Sequence, residues 1–342
     1  MKRKLWIGLS LTLSAVFLGL AVHGFKFLGF EVHGVEWGKA VAALAGAHYV
    51  YVLPMLATSV WSLYIRAQRW RVLLRPVGTP SMRTLVAATN IGFMANMLLP
   101  LRMGEVIRPV LLSRKEKEPL GGILATIVLE RIFDIFTILF LFGVSAASVS
   151  VSDTVRQWGY GLGASALIIG AGVAFVRWQE ALALRLLQAL LRPLPARLAQ
   201  PIDHFFRGFI QALEILASPW EFVQLLAWSL FLWLVIASTY LFGFLAFAIP
   251  APLIVGSILV MTIVAFAVSA PSAPGYIGAF QVGCTLSLAI FHVLESDAFA
   301  FSIVLHVTQF VATVGAGLYS LAREGMSLRQ LERVSEADGA TA

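Results

Sequence analysis

From Phe222 to Leu294 the sequence runs for 73 positions without one Asp, Glu, Lys or Arg. A soluble domain carries a charge at about one position in four, so a stretch this long cannot present a hydrated surface. It suits hydrocarbon instead. About 20 apolar residues cross a bilayer core, and three such lengths fit here, interrupted at Pro250/Pro252 and at Pro271/Pro274-Gly275. The expected spans are 222–249, 253–270 and 276–293, with a re-entrant pair entered from outside as the alternative over 253–293. The rest of the 342-residue chain agrees: 59% of it is hydrophobic and only 13% charged, which makes it an all-α polytopic membrane protein.

Charge then orients the spans. The net charge of +7 matches the excess that cytoplasmic loops give to a membrane protein, and no nucleic-acid partner is expected from it. Leu5–Phe25 reads as a retained first span, because its uncharged run is longer than the roughly 7–15 residues of a signal-peptide core and no clear A-x-A site follows it. Ala40–Ile65, Pro119–Ser152, Gln157–Val176 and Ala298–Ala322 supply four more. The predicted architecture is about eight transmembrane helices, with both termini cytoplasmic. Of the 25 Lys and Arg, three (Lys26, Lys39, Arg156) fall outside and Arg131 within a span, leaving 21 inside. The lone cysteine, Cys284, forms no intramolecular disulfide.

One uncharged stretch does not fit as a crossing. Thr84–Leu101 contains Asn90 and Asn96, ends at a proline and has strongly basic flanks on both sides. Placing those flanks on opposite sides of the membrane would violate the positive-inside bias. The segment near 84–108 is therefore expected to be re-entrant, which implies a cavity, since irregular backbone at membrane depth is tolerated only inside protein or against water. Residues 66–83 before it carry five arginines among Trp70 and leucines, as suits an anionic lipid surface, with Arg66, Arg69 and Trp70 as interfacial anchors. Residues 177–220 form an amphipathic interfacial segment: Arg185, Gln188 and Arg192 share one helical face, and Asp203, Arg207, Gln211 and Glu214 another. Residues 326–342 are a polar cytoplasmic tail.

The break at Pro100 leads into Arg102, Gly104, Glu105 and Arg108, and a second cluster follows at Glu130, Arg131 and Asp134. Charges beside hydrocarbon are costly and face a cavity or a partner. Guanidinium forks bind phosphate bidentately, so Asn96, Arg102, Glu105, Arg108, Glu130, Arg131 and Asp134 form a candidate headgroup site. Pro100, Gly104, Pro271, Pro274, Gly275 and Gly278 are the breaks expected to line it. The acidic cluster reads equally well as a buried ion network holding two elements together, and such a network also positions a cavity. No H-E-x2-H, Cys/His spacing, P-loop or G-x-S-x-G occurs. No metal, cofactor or catalytic residue is expected.

Four motifs occur in order: R-x2-RW (Arg66, Arg69, Trp70); N-x3-P-x-R-x-G-E-x2-R (Asn96 to Arg108); E-R-x2-D (Glu130, Arg131, Asp134); and P-x2-P-G-x2-G-x-F (Pro271 to Phe280). Together they resemble the flippase-like membrane region of lysylphosphatidylglycerol synthases, a stand-alone member without the soluble aminoacyl-transfer domain. Residues 1–325 would form that single domain. The resemblance implies lipid translocation rather than an enzyme, a bacterial cytoplasmic membrane, and membrane lipids as partners beside a separate lipid-modifying enzyme. The residues leave two other functions open: a scaffold subunit for an envelope-biosynthetic enzyme, or an integral membrane enzyme acting on a lipid-linked substrate.

Overall fold

The computed structural model describes residues 2–27, 30–149, 153–269, 274–327 and 330. These residues are helical apart from turns and one antiparallel ribbon, Phe25–Phe27 with Phe30–Val32, in which Phe25 lies opposite Val32. That ribbon is a small departure from the all-α expectation. The helices are α1 (Lys2–His23), α2 (Trp37–Gly46), α3 (Val52–Leu73), α4 (Met82–Leu98), α5 (Gly104–Glu116), α6 (Leu120–Ala147) and α7 (Asp153–Trp178). They continue as α8 (Glu180–Leu191), α9 (Ala196–Leu213), α10 (Pro219–Ala246), α11 (Leu253–Ser269), α12 (Ala279–Ala289) and α13 (Glu295–Arg323).

Among the described residues four segments are long and apolar enough to cross a bilayer: Tyr49–Leu73, Gly159–Trp178, Pro219–Ala246 and Glu295–Arg323. With 28 residues α6 has the length too, but it carries Glu130, Arg131 and Asp134. The expected crossings at 253–270 and 276–293 are not both of spanning length. Helix α11 has 17 residues and α12 has 11; at 1.5 Å per residue they extend only about 25 and 16 Å, against roughly 30 Å of hydrocarbon. The apolar run continues past both, but the helices do not. Gly278 (φ 87°) starts α12 and His292 (φ 55°) follows its end, both in the left-handed region.

These short helices fold back on one another in pairs. Helices α4 and α5 form one hairpin and α11 and α12 the other. The first is closed by glycines. A methyl on Gly104 would lie 1.8 Å from the Gly92 carbonyl oxygen, and one on Gly92 2.8 Å from the Arg108 Cβ. Small residues at such crossings let backbones approach in a membrane, where hydrophobic drive between helices is absent. In the second hairpin a methyl on Gly283 would meet the Ala267 Cβ at 2.9 Å.

Around the hairpins run the long helices. Helix α10 lies along α3, joined by a hydrogen bond of 2.8 Å between the Thr58 and Thr239 hydroxyls, and α13 lies along α4. Ser81 caps α4 by accepting from the Thr84 N–H, and Ser218 caps α10 ahead of Pro219. The amphipathic segment becomes α8 and α9. Helix α9 packs on the start of α6, where Phe205 and Phe209 join the core and Gln211 donates to the Pro76 carbonyl at 2.9 Å. Its polar face keeps the Arg207–Asp203 pair, 2.8 Å, exposed. The 326–342 tail lies almost wholly outside the described residues.

Gly104→Ala is expected to cost about 3 kcal/mol or more, at or above the top of the ordinary overpacking range, because the clashing atom is backbone. Gly143→Ala, with nothing within 4 Å of the new methyl, is the control. Thermal unfolding of both variants in detergent checks this, and equal melting temperatures would contradict the close hairpin.

Candidate functional site: a charged cavity between two hairpins

Glu130 and Asp134 are one turn apart on α6, so both carboxylates leave the same face. Glu130 is fully buried, and three guanidiniums surround it: Arg131 at 2.6 Å, Arg108 of α5 at 2.7 Å and Arg69 of α3 at 3.3 Å. Asp134 accepts from Arg69 at 2.6 Å and from the Trp233 indole N–H of α10 at 3.0 Å, with Arg131 at 3.3 Å. Arg69, itself fully buried, also donates to the Ser229 hydroxyl at 3.3 Å. The Arg108 guanidinium stacks over Trp70 at 4.3 Å, and the Trp70 N–H is anchored to the Thr126 hydroxyl at 2.9 Å. Isolated buried charges cost several kcal/mol each, so such groups persist only when each has several partners. Here α3, α5, α6 and α10 supply them.

Against this network lies a cavity of about 460 Å³. Arg66, Arg102, Arg131, Glu105, Asp134 and Asn96 give it a charged and polar wall. Leu63, Ile135, Ile138, Val264, Val268 and Phe280 give it an apolar one. A concave site with apolar lining and a few converging polar groups is the usual form of a small-molecule or lipid pocket. Arg66 reaches in from α3 with its plane over Phe93 (4.6 Å) and near Trp233 (5.9 Å).

The two hairpin tips meet at this cavity. Arg102 sits in the Pro100–Arg102 turn with φ 53°, and Tyr276, in the Pro274–Tyr276 turn, has φ 60°. Neither is glycine, so both conformations are held by their surroundings. Arg102 donates to the Val268 carbonyl, lies 5.5 Å over the Tyr276 ring and has Glu105 at 3.8 Å. At Gly275 (φ 71°) a side chain would approach the Met97 carbonyl of the other hairpin at 3.3 Å. His306 of α13 braces the second tip. Its Nε2 donates to the Gly275 carbonyl at 2.7 Å, which leaves Nδ1 to accept from the Gln281 amide at 3.0 Å, and its ring stacks on Phe280 at 4.6 Å. Gln281 in turn accepts from the Gly278 N–H at 2.8 Å.

The structure divides the expected site residues. Asn96, Arg102, Glu105, Arg131 and Asp134 line the cavity, whereas Arg108 and Glu130 lie behind its wall in the ion network. Asn96 is 6% exposed and its side-chain oxygen has no partner among the described residues. Pro100, Gly104, Pro274, Gly275 and Gly278 sit at the two breaks, while Pro271 lies outside the described residues. The expectation of interfacial anchors fails for Arg69 and Trp70: both are 0% exposed, because α10 and α6 cover the face of α3 that bears them. Arg66 is half-buried and faces the cavity. Sequence reasoning missed Trp233, Ser229, Tyr276 and His306. Ser229 and Trp233 were visible as two donors four residues apart on a mostly apolar helix.

The lysylphosphatidylglycerol synthase TM region matches residues 6–317, nearly the whole chain. The chain belongs to that family. A curated protein, glycosyltransferase AglD of Haloferax volcanii, is 25% identical over 335 residues, which cover 87% of this chain and 51% of the relative. The chain thus spans about half the length of that relative. No solved structure matches it.

Glu130→Gln would leave Arg69, Arg108 and Arg131 short of one buried counter-charge. The expected loss is about 3–5 kcal/mol, as when one partner of a buried pair is removed. Asp203→Ala, in the exposed pair with Arg207, should cost less than about 1 kcal/mol. Thermal melts of the two variants in detergent compare them, and similar losses would contradict the buried network.

Proposed function

We propose that the chain moves a lipid between bilayer leaflets, its headgroup held in the cavity between the two hairpins while its tails stay in hydrocarbon. The observation that carries this is the amphiphilic cavity itself: guanidiniums and carboxylates on one wall, aliphatic side chains on the other, at the meeting point of two broken helical hairpins. Paired helix breaks are a common way for transporters to build a cargo site. Membership of the lysylphosphatidylglycerol synthase transmembrane family supports a lipid-related role.

In this reading the 84–108 and 253–289 hairpins are re-entrant, because α4, α5, α11 and α12 are each too short to cross. The family resemblance suggests the cytoplasmic membrane of a bacterium, and the positive-inside count supports both termini inside. The chain acts as a transporter and not as an enzyme, without cofactor or metal. Coupling to an ion gradient or the membrane potential suits it better than ATP, since its sequence holds no P-loop.

A second reading has its own support. A relative named as a glycosyltransferase is about twice as long as the aligned region, so this membrane unit would also work as the seat of a separate lipid-modifying enzyme, recruited through α8 and α9. Deleting that segment would then abolish co-purification, while changes in the charge clusters would spare it.

Reconstituted into liposomes, the chain should move fluorescent lipid to the inner leaflet, read as protection from dithionite. Arg102→Ala should slow this by about tenfold or more, the loss of one charge-assisted contact, and Glu105→Ala should slow it through Arg102, which Glu105 orients from 3.8 Å. Rates equal to the unsubstituted chain across candidate lipids would overturn the site.

A further inference from the structure

We infer that the headgroup this cavity accepts is anionic: a phosphate ester whose negative charge is not balanced by an ammonium of its own. This rests on the lipid-headgroup reading above and deepens it.

The charge balance comes first. Five guanidiniums (Arg66, Arg69, Arg102, Arg108, Arg131) meet three carboxylates (Glu105, Glu130, Asp134) in the cavity and its wall, a surplus of two positive charges. Two of the carboxylates are also engaged by several partners. Glu130 has three guanidiniums and Asp134 two with an indole N–H, while Glu105 has only Arg102 at 3.8 Å. A cationic headgroup entering here would meet the surplus positive charge, with Glu105 alone loosely paired.

The free capacity lies in Arg66. Among the described residues it has no carboxylate within 4 Å, and its N–H donors make no hydrogen bond. Its neighbours instead are rings: the guanidinium carbon lies 4.6 Å from the Phe93 ring centre and 5.9 Å from that of Trp233, within cation–π range. Such contacts hold the cation without forming any hydrogen bond to its N–H donors. A planar fork held in place, unpaired and facing a partly apolar cavity, has the geometry that binds two phosphate oxygens side by side. Charge uncompensated in a membrane cavity is costly, and an anionic ligand removes that cost where a zwitterion or cation does not.

The test is competition for the purified full chain in detergent. An equimolar mixture of phosphatidic acid, phosphatidylglycerol, phosphatidylcholine and lysyl-phosphatidylglycerol is offered, and retained lipid is read by native mass spectrometry. The two anionic lipids should be retained about tenfold or more over the other two, the preference one charge-assisted pair supplies. Arg66→Gln should remove most of that preference, and Arg66→Lys, which keeps charge without the fork, should restore part of it. Retention of lysyl-phosphatidylglycerol or phosphatidylcholine at or above the anionic lipids overturns the inference. So does an unchanged preference in Arg66→Gln that melts like the unsubstituted chain; should that variant not fold, the preference of the unsubstituted chain decides. Inorganic phosphate, titrated calorimetrically, separates the two levels. If it binds as tightly as phosphatidic acid, the anion site stands and the lipid-headgroup reading fails.

Discussion

Everything else in this molecule depends on the burial of Glu130. A carboxylate with no exposure to water is tolerable only when guanidiniums replace its hydration, and three do so from three helices. The requirement is collective. Arg69 without Glu130 and Asp134 would itself be an unmatched charge, as would Arg108, so α3, α5 and α6 are brought together or not at all. Trp233 and Ser229 draw α10 into the same arrangement. The first hairpin is held in place through Arg108 on its second helix, α5, and the cavity is the space left where these helices diverge. In the structure Glu130 and Arg108 belong to the ion network and Arg102 and Glu105 to the cavity wall, with Asp134 and Arg131 in both.

Much of this was legible in the sequence, and what was not has identifiable causes. The uncharged 222–294 stretch and the breaks at 100 and 271–278 announced membrane helices and interruptions, because hydropathy and Pro/Gly punctuation are local signals. Helix length within an apolar run is not local in that sense. Residues 276–293 hold no Asp, Glu, Lys or Arg, yet α12 stops at Ala289, and no charge marks that end. The same limit explains Arg69 and Trp70. An arginine-rich run reads alike whether it meets lipid headgroups or a buried acid, and the choice depends on where α6 and α10 lie, far away in sequence. His306 belongs to no motif in the sequence and braces the second break only because α13 passes the Gly275 carbonyl.

The amphipathic pair α8–α9 shows how the polar edge of the bundle is built. Helix α9 turns Phe205 and Phe209 into the core and leaves Asp203 and Arg207 outside. It covers the end of α6 nearest the ion network, so the element that carries the buried charges is supported at its base by packing and not by lipid. Membership of the family places this whole arrangement in a recurrent membrane unit, and the half-length match to a longer protein shows that related units occur joined to further sequence.

The contact between the hairpin tips has a further consequence. Arg102 is the side chain that joins them, through the Val268 carbonyl and the Tyr276 ring, and it is also one of the cations in the cavity wall. A guanidinium has a finite set of donors. An anion that engages the Arg102 Nη2 donor given to the Val268 carbonyl draws it off the opposite tip, so occupancy in that mode and tip separation share one free-energy term and each biases the other. Cargo and latch would then compete for the same few atoms.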